Sequence, residues 1–146
     1  HNIQIIKKII ETKKPLIIST GMCNLKDIKF TVDFINKIDK NYLKKKKLAI
    51  LHCNTSYPTP LNDSNLGTIK FLEDKFNLDI GYSDHTMGDE VLVYSYLSGA
   101  KIIEKHFSNN VRKLRFNGYQ YKNNNSKCLD NFTDKTFFLQ SQKRSA

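Results

Sequence analysis

Four short apolar runs punctuate the first 107 residues: Leu16-Ile17-Ile18, Leu48-Ala49-Ile50-Leu51, Leu78-Asp79-Ile80-Gly81-Tyr82 and Lys101-Ile102-Ile103. They are brief and barely alternate, the pattern of parallel strands covered on both faces. Between them the apolar positions switch to helical spacing. Leu25, Ile28, Val32, Ile35 and Ile38 form one stripe, and Leu66, Ile69, Leu72 and Phe76 a second. A third helix is predicted from about Asp89 to Leu97, stopping near Gly99, and Ile5, Ile6, Ile9 and Ile10 predict another ahead of the first strand. Asn24 stands where an N-cap belongs, with Asp27 in the first turn of its helix. Strands alternating with helices at this rhythm predict an α/β fold, either an open doubly wound sheet or a TIM barrel. In both, ligands bind at the carboxyl ends of the parallel strands.

From Ser108 the pattern is lost. Residues 108–146 are rich in Asn, Lys, Gln and Ser, include Lys122-Asn123-Asn124-Asn125-Ser126 and show no helical period. They are expected to form an irregular tail, disordered or read out of frame, although Phe116, Tyr119, Tyr121, Phe132, Phe137 and Phe138 leave room for packing. The division is therefore one α/β unit over residues 1–107 and a divergent tail over 108–146.

The chain has 146 residues and 39% apolar content, enough for one domain with a packed core. It has no run of 18 or more apolar residues and no signal-peptide pattern at His1-Asn2-Ile3-Gln4, so a cytoplasmic protein away from the membrane is expected, with its true start missing. Cys23, Cys53 and Cys128 are odd in number and unpaired in spacing, which predicts reduced thiols. A net charge of +10 raises nucleic-acid binding as an alternative, through salt-dependent contacts from the lysines and the tail. The only solid run, Lys44 to Lys47, precedes an apolar strand, where a solvated loop belongs, and a positive field also draws small anions.

The polar residues after each strand carry the candidate chemistry. Gly81-Tyr82-Ser83-Asp84-His85-Thr86 and Glu104-Lys105-His106-Phe107 place two histidines 21 positions apart. That interval matches one strand-helix-strand repeat, roughly 20 to 30 residues, so both fall on one rim of a sheet or barrel. Two neutral imidazoles there suit a divalent ion, with positions left for water and substrate oxygens. Asp84 or Glu104 is placed to orient a ring nitrogen or to form a structural ion pair. Ser19, Thr20, Asn54, Thr55 and Ser83 are short donors at strand ends, suited to a phosphate or carboxylate, and Ser19-Thr20-Gly21 is equally an ordinary strand-to-helix turn. Lys105 offers a cation for a bound anion or a salt bridge. Tyr57, stiffened by Pro58 and Pro60, is positioned to touch substrate or cover the mouth of the fold. Cys53 has no evident base and reads as a small buried residue rather than a nucleophile.

Together these segments resemble the N-acetylneuraminate (sialic acid) synthase family, which includes legionaminate and pseudaminate synthases. The similarity runs through Lys14-Pro15-Leu16-Ile17-Ile18-Ser19-Thr20-Gly21-Met22, Leu51-His52-Cys53-Asn54-Thr55-Ser56-Tyr57-Pro58-Thr59-Pro60, Gly81 to Thr86 and Gly99 to Phe107, in the family's order. The resemblance implies a partial TIM barrel, four β/α units corresponding to strands five to eight. It implies condensation of phosphoenolpyruvate with an N-acetylated amino sugar such as N-acetylmannosamine, with Mn2+ or Mg2+ as cofactor. By the same resemblance His85 and His106 are catalytic metal ligands, Ser19, Thr55 and Ser83 hold phosphate, Tyr57 lies near the sugar, and the full-length family forms homodimers. The barrel's first four strands, the Gly-Pro-Asp type loop after the last strand and an antifreeze-like domain have no counterpart in this sequence. A fragment inactive by itself, or a non-functional remnant, follows from that reading.

Overall fold

The computed structural model describes residues 2–107 and, beyond them, only the backbone of three short strands at Arg115–Phe116, Tyr119–Gln120 and Lys135–Gln140. In chain order the described elements are α1 (Ile3–Glu11), β1 (Leu16–Ser19), α2 (Leu25–Ile38), α3 (Lys40–Lys44), β2 (Leu48–Cys53), α4 (Gly67–Phe76), β3 (Asp79–Asp84), α5 (Glu90–Leu97), β4 (Ile102–Phe107), β5 (Arg115–Phe116), β6 (Tyr119–Gln120) and β7 (Lys135–Gln140). Strands β1 to β4 lie side by side in sequence order and all parallel. β7 adds antiparallel beyond β4, and β5 pairs only with β6.

Local chemistry accounts for the starts of α1, α2 and α3. The Asn24 side chain accepts from the backbone N–H groups of Lys26 and Asp27 while the Asp27 carboxylate accepts from Asn24 N–H, a reciprocal capping box that satisfies three otherwise orphaned donors. Asn2 caps α1 and Asp39 caps α3 through the same kind of bond. α4 ends at Asn77 in the left-handed region, and α5 is followed by Gly99 with φ of 98°. α3 has no apolar stripe to announce it. It is held by the Asp39 cap and by Tyr42, whose buried ring packs in the core and whose hydroxyl donates to the Lys14 carbonyl.

The core decides between the two architectures open to the sequence. Ile6 and Ile10 of α1, Ile28, Val32 and Ile35 of α2, Ile69 and Leu72 of α4 and Val91 of α5 all join one cluster with Leu16, Leu48, Ile50, Ile80 and Tyr82 of the strands. Alternate strand residues Ala49, Leu51 and Ile102 form a separate cluster. Since successive strand side chains point to opposite faces, the helices cover one face only. A doubly wound sheet would carry helices on both. The structure is a curved half of a (β/α) barrel whose inner face is the one without helices.

Glycine makes the inner face tight. A β-carbon on Gly81 would lie 2.4 Å from the Ile102 carbonyl oxygen and 2.5 Å from Leu51 Cδ2. Only a residue without a side chain lets β2, β3 and β4 close around Leu51 here.

All four parallel strands outrun the apolar positions that predict them, β1 by Ser19 and β2 by His52 and Cys53. β3 runs on through Ser83 and Asp84, and β4 includes Glu104, Lys105 and His106, which the pattern marks as a polar tail. These polar residues are strand because their inward members face a polar rim rather than an apolar core. The tail expected over residues 108–146, with Cys128 and the Asn-rich tract, lies outside the described residues apart from the backbone of β5, β6 and β7. No helix among the described residues is long and apolar enough to cross a membrane.

Candidate active site at the carboxyl rim

The inner face changes from apolar to polar as the strands rise. Leu51, beside Gly81, packs with Ala49 and Ile102 at the foot. The next rung sets Cys53 beside Ser83 and Ser83 beside Glu104. One step higher stand His85, just past the end of β3, and His106 in β4. Period two explains the column: Ser83 and His85, like Glu104 and His106, are two residues apart and share a face.

The two imidazoles are neighbours. Their ring centroids are 5.4 Å apart with planes 39° from parallel. His85 is 8% exposed whereas His106 is exposed to solvent. His85 Nδ1 is 2.6 Å from the Asn54 carbonyl oxygen, which can only accept, so Nδ1 carries the proton and Nε2 keeps its lone pair. That Nε2 lies 3.0 Å from the Tyr57 hydroxyl, which donates to it. Partial burial raises the Tyr57 pKa and keeps the hydroxyl a donor. Burial lowers the His85 pKa, and the adjacent His106 lowers it further against the opposing pull of the Asn54 carbonyl. His85 is therefore a neutral, tautomerically fixed base. The Tyr57 ring also stands 4.0 Å from the His85 centroid and edge-on to His106 at 5.9 Å.

Beneath the histidines, the Ser83 hydroxyl donates to Glu104 Oε1 at 2.5 Å. Burial raises the Cys53 pKa, partly offset by its bond with Ser83, which keeps the sulfur a thiol. Lys105 points to the opposite face, where its ammonium contacts the Asp84 carboxylate. Of the short donors, Thr20 is buried and its hydroxyl donates to the Leu51 carbonyl at 3.0 Å, tying the end of β1 to β2. Ser19 is exposed at the end of β1. Thr55 is exposed after β2, its methyl close enough that a β-carbon on Gly21 would meet it at 2.7 Å. The Asn54 side chain accepts from Ser56 N–H at 2.8 Å and orders the loop that carries Tyr57.

The structure thus gathers Asn54, Tyr57, Ser83, His85 and His106, leaves Ser19 and Thr55 at the β1 and β2 end of the rim, and turns Thr20 and Lys105 to backbone and ion-pair partners. Glu104 as the acceptor for Ser83, and the main-chain carbonyl of Asn54 as the group that sets the His85 tautomer, were not singled out from sequence. The first is legible in the shared period of Glu104 and His106. The second needs the loop geometry. Among the described residues no group of three or more His, Cys, Asp and Glu side chains is arranged to hold a metal ion. Two imidazoles nevertheless fit a divalent cation as two of its ligands, since one presents a fixed Nε2 lone pair and the second lies beside it.

The family model described as "NeuB family" matches residues 1–118. The chain is 43% identical over 107 residues to an N,N'-diacetyllegionaminic acid synthase of Campylobacter jejuni, covering 73% of this chain and 31% of that protein. It is 40% identical to the N,N'-diacetyllegionaminic acid synthase of Legionella pneumophila, again covering 73% of this chain and 30% of the relative. A crystal structure of N-acetylneuraminic acid (sialic acid) synthetase from Leptospira borgpetersenii, in complex with citrate, superposes with a TM-score of 0.64 at 32% identity, covering 73% of this chain and 35% of that one. The chain spans less than a third of the length of these two curated relatives.

Proposed function

The chain belongs to the NeuB family, and from that premise we propose that it carries the cation- and phosphate-facing half of a nonulosonic acid synthase site. The reaction joins carbon 3 of phosphoenolpyruvate to the aldehyde carbon of an open-chain N-acetylated amino sugar. Water adds at carbon 2, and inorganic phosphate leaves with cleavage of its carbon–oxygen bond.

The observation that carries this reading is the His85–His106 pair, with His85 Nδ1 fixed on Asn54 and the Nε2 lone pair met by the Tyr57 hydroxyl. A divalent ion, Mn2+ or Mg2+, held by His85 and His106 supplies a Lewis acid for the aldehyde oxygen when bound. His85 stays neutral, as a nitrogen ligand must. Tyr57, whose ring lies against both imidazoles, is placed to orient the sugar and to shield the pair from water. Ser19, Thr55 and the Asn54 amide supply short donors along the rim for phosphate oxygens, and Ser83 joins them by giving up its bond to Glu104. Thr20 supports this set by holding β1 to β2, while Lys105 is committed to the Asp84 carboxylate behind the rim.

The test is phosphoenolpyruvate binding to the 146-residue chain by isothermal titration calorimetry with and without Mn2+. The reading expects Mn2+-dependent binding that Ser83→Ala weakens, and no phosphate release with N-acetylmannosamine, because this chain spans under a third of its curated relatives. Equal binding in the presence of a chelator would contradict the cation role.

A further inference from the structure

The β3–β4 ladder ends with Asp84 paired to Lys105, the residues immediately before His85 and His106. β3 stops there, so the ladder does not extend to His85. What spans the two strands at that height is a set of side-chain contacts on the helix-facing side. Lys105 Nζ lies 2.5 Å from Asp84 Oδ2 and donates to the Thr86 carbonyl at 3.0 Å. Asp84 Oδ1 accepts the Thr86 N–H at 2.9 Å. The Asp84 side chain has no solvent exposure, and that of Lys105 is 22% exposed.

We propose that Asp84 and Lys105 are positioning residues: by clamping the main chain on both sides of His85 to the strand that carries His106, they hold the two imidazoles as one pair. This inference rests on the reading above, in which the pair shares a cation. The geometry requires the division of labour, because neighbours on a strand face opposite ways. Asp84 and Lys105 meet behind the sheet, and their successors emerge in front of it side by side. On the other flank the Thr59 N–H donates to the His85 carbonyl at 2.8 Å, and the Asn54 carbonyl accepts from its ring. His85 is thereby anchored to the β2 loop on one side and, through Lys105, to β4 on the other.

The clamp is strong for an electrostatic reason. The Asp84 side chain is fully buried against the Lys105 ammonium, so turning Lys105 toward a bound anion would leave Asp84 without its ion-pair partner. The ammonium spends one donor on that carboxylate and a second on the Thr86 carbonyl, which locks the residue after His85 as well as the one before it.

The test is the ring-to-ring nuclear Overhauser effect between His85 and His106 in the isotopically labelled 146-residue chain. Wild type and Lys105→Arg are expected to show it. The double variant Asp84→Asn, Lys105→Met removes both charges and leaves no stranded ion; it is expected to keep native circular dichroism, lose the cross-peak and bind Mn2+ about 10- to 100-fold more weakly, as for other groups that orient metal ligands. Should that variant not fold, Asp84→Asn with Lys105→Gln replaces the ion pair by two neutral amides and is read the same way. A folded double variant with the cross-peak at wild-type intensity would overturn the clamp. If wild type binds no Mn2+ while the cross-peak still disappears in the double variant, the cation reading fails and the positioning role stands.

Discussion

On the helix-covered face of β1 to β4, Leu16, Leu48, Ile50, Ile80 and Tyr82 are closed over by α1 to α5 of the same chain. On the opposite face the same strands offer four apolar residues, Ile17, Ala49, Leu51 and Ile102, and above them a column of thiol, hydroxyl, carboxylate and imidazole groups. One face is saturated with its own contacts and does the folding. The other is lined at its foot by one small cluster and is otherwise committed to groups that need a ligand or a specific partner. Residues adjacent in sequence thereby take opposite tasks: Asp84 and Lys105 bind each other behind the sheet while His85 and His106 face outward from its front.

The sharpest way to break this contrast is to open the covered face. Ile35 of α2, fully buried in the main core, is expected to cost about 2–5 kcal/mol on truncation in Ile35→Ala, read as a lower urea midpoint, with His85 and His106 chemistry unchanged in whatever fraction stays folded. Next comes the foot of the inner face. Gly81→Ala would press a methyl group onto the Ile102 carbonyl and Leu51, and about 1–3 kcal/mol of destabilisation is expected, together with displaced ring resonances of His85 above it.

A smaller effect compares the faces by titration. Burial lowers the pKa of His52, whose Nε2 lies 2.9 Å from the Ser64 carbonyl and whose ring is 5.6 Å from Tyr82, and it lowers that of His85 on the inner side. Both histidines bind protons more readily when unfolded, so their contribution is fully present above the unfolded pKa of about 6.5 and is lost as pH falls through the folded values. Stability from urea melts should therefore decline below about pH 6.5, and His52→Gln and His85→Gln should each flatten part of that decline. A slope that survives both substitutions would place the acid sensitivity elsewhere. The least disruptive change is Tyr57→Phe. It removes the hydroxyl that donates to His85 Nε2 while leaving the ring, so stability should move by less than about 1 kcal/mol and divalent-cation affinity should rise. Weaker cation binding in this variant would mean that the hydroxyl helps hold the ion rather than competing with it.

Much of the covered face was legible in the chain, because apolar spacing and capping chemistry are local signals. The stripes of α1, α2 and α4 coincide with buried Ile6, Ile10, Ile28, Val32, Ile35, Ile69 and Leu72, and Asn24 with Asp27 forms the cap their order suggests. The short helix α3 escaped because five largely polar residues, anchored by a single buried Tyr42, carry no period. The open face was legible in composition but not in contact. The interval between His85 and His106 put them on one rim, where the structure sets them side by side. That Ser83 meets Glu104, that Lys105 turns behind the sheet to Asp84, and that Asn54 acts on His85 through its main chain depend on how far β3 and β4 extend. Polar residues inside a strand leave no apolar signature, so tertiary placement alone reveals them.

The proposed function requires His85 and His106 to act together on one cation, and Mn2+ titration followed by electron paramagnetic resonance measures this directly. Wild type is expected to take up a single Mn2+, with either His85→Ala or His106→Ala removing most of the affinity and the double variant little worse than either single one. Mn2+ uptake unchanged by both single substitutions would contradict it.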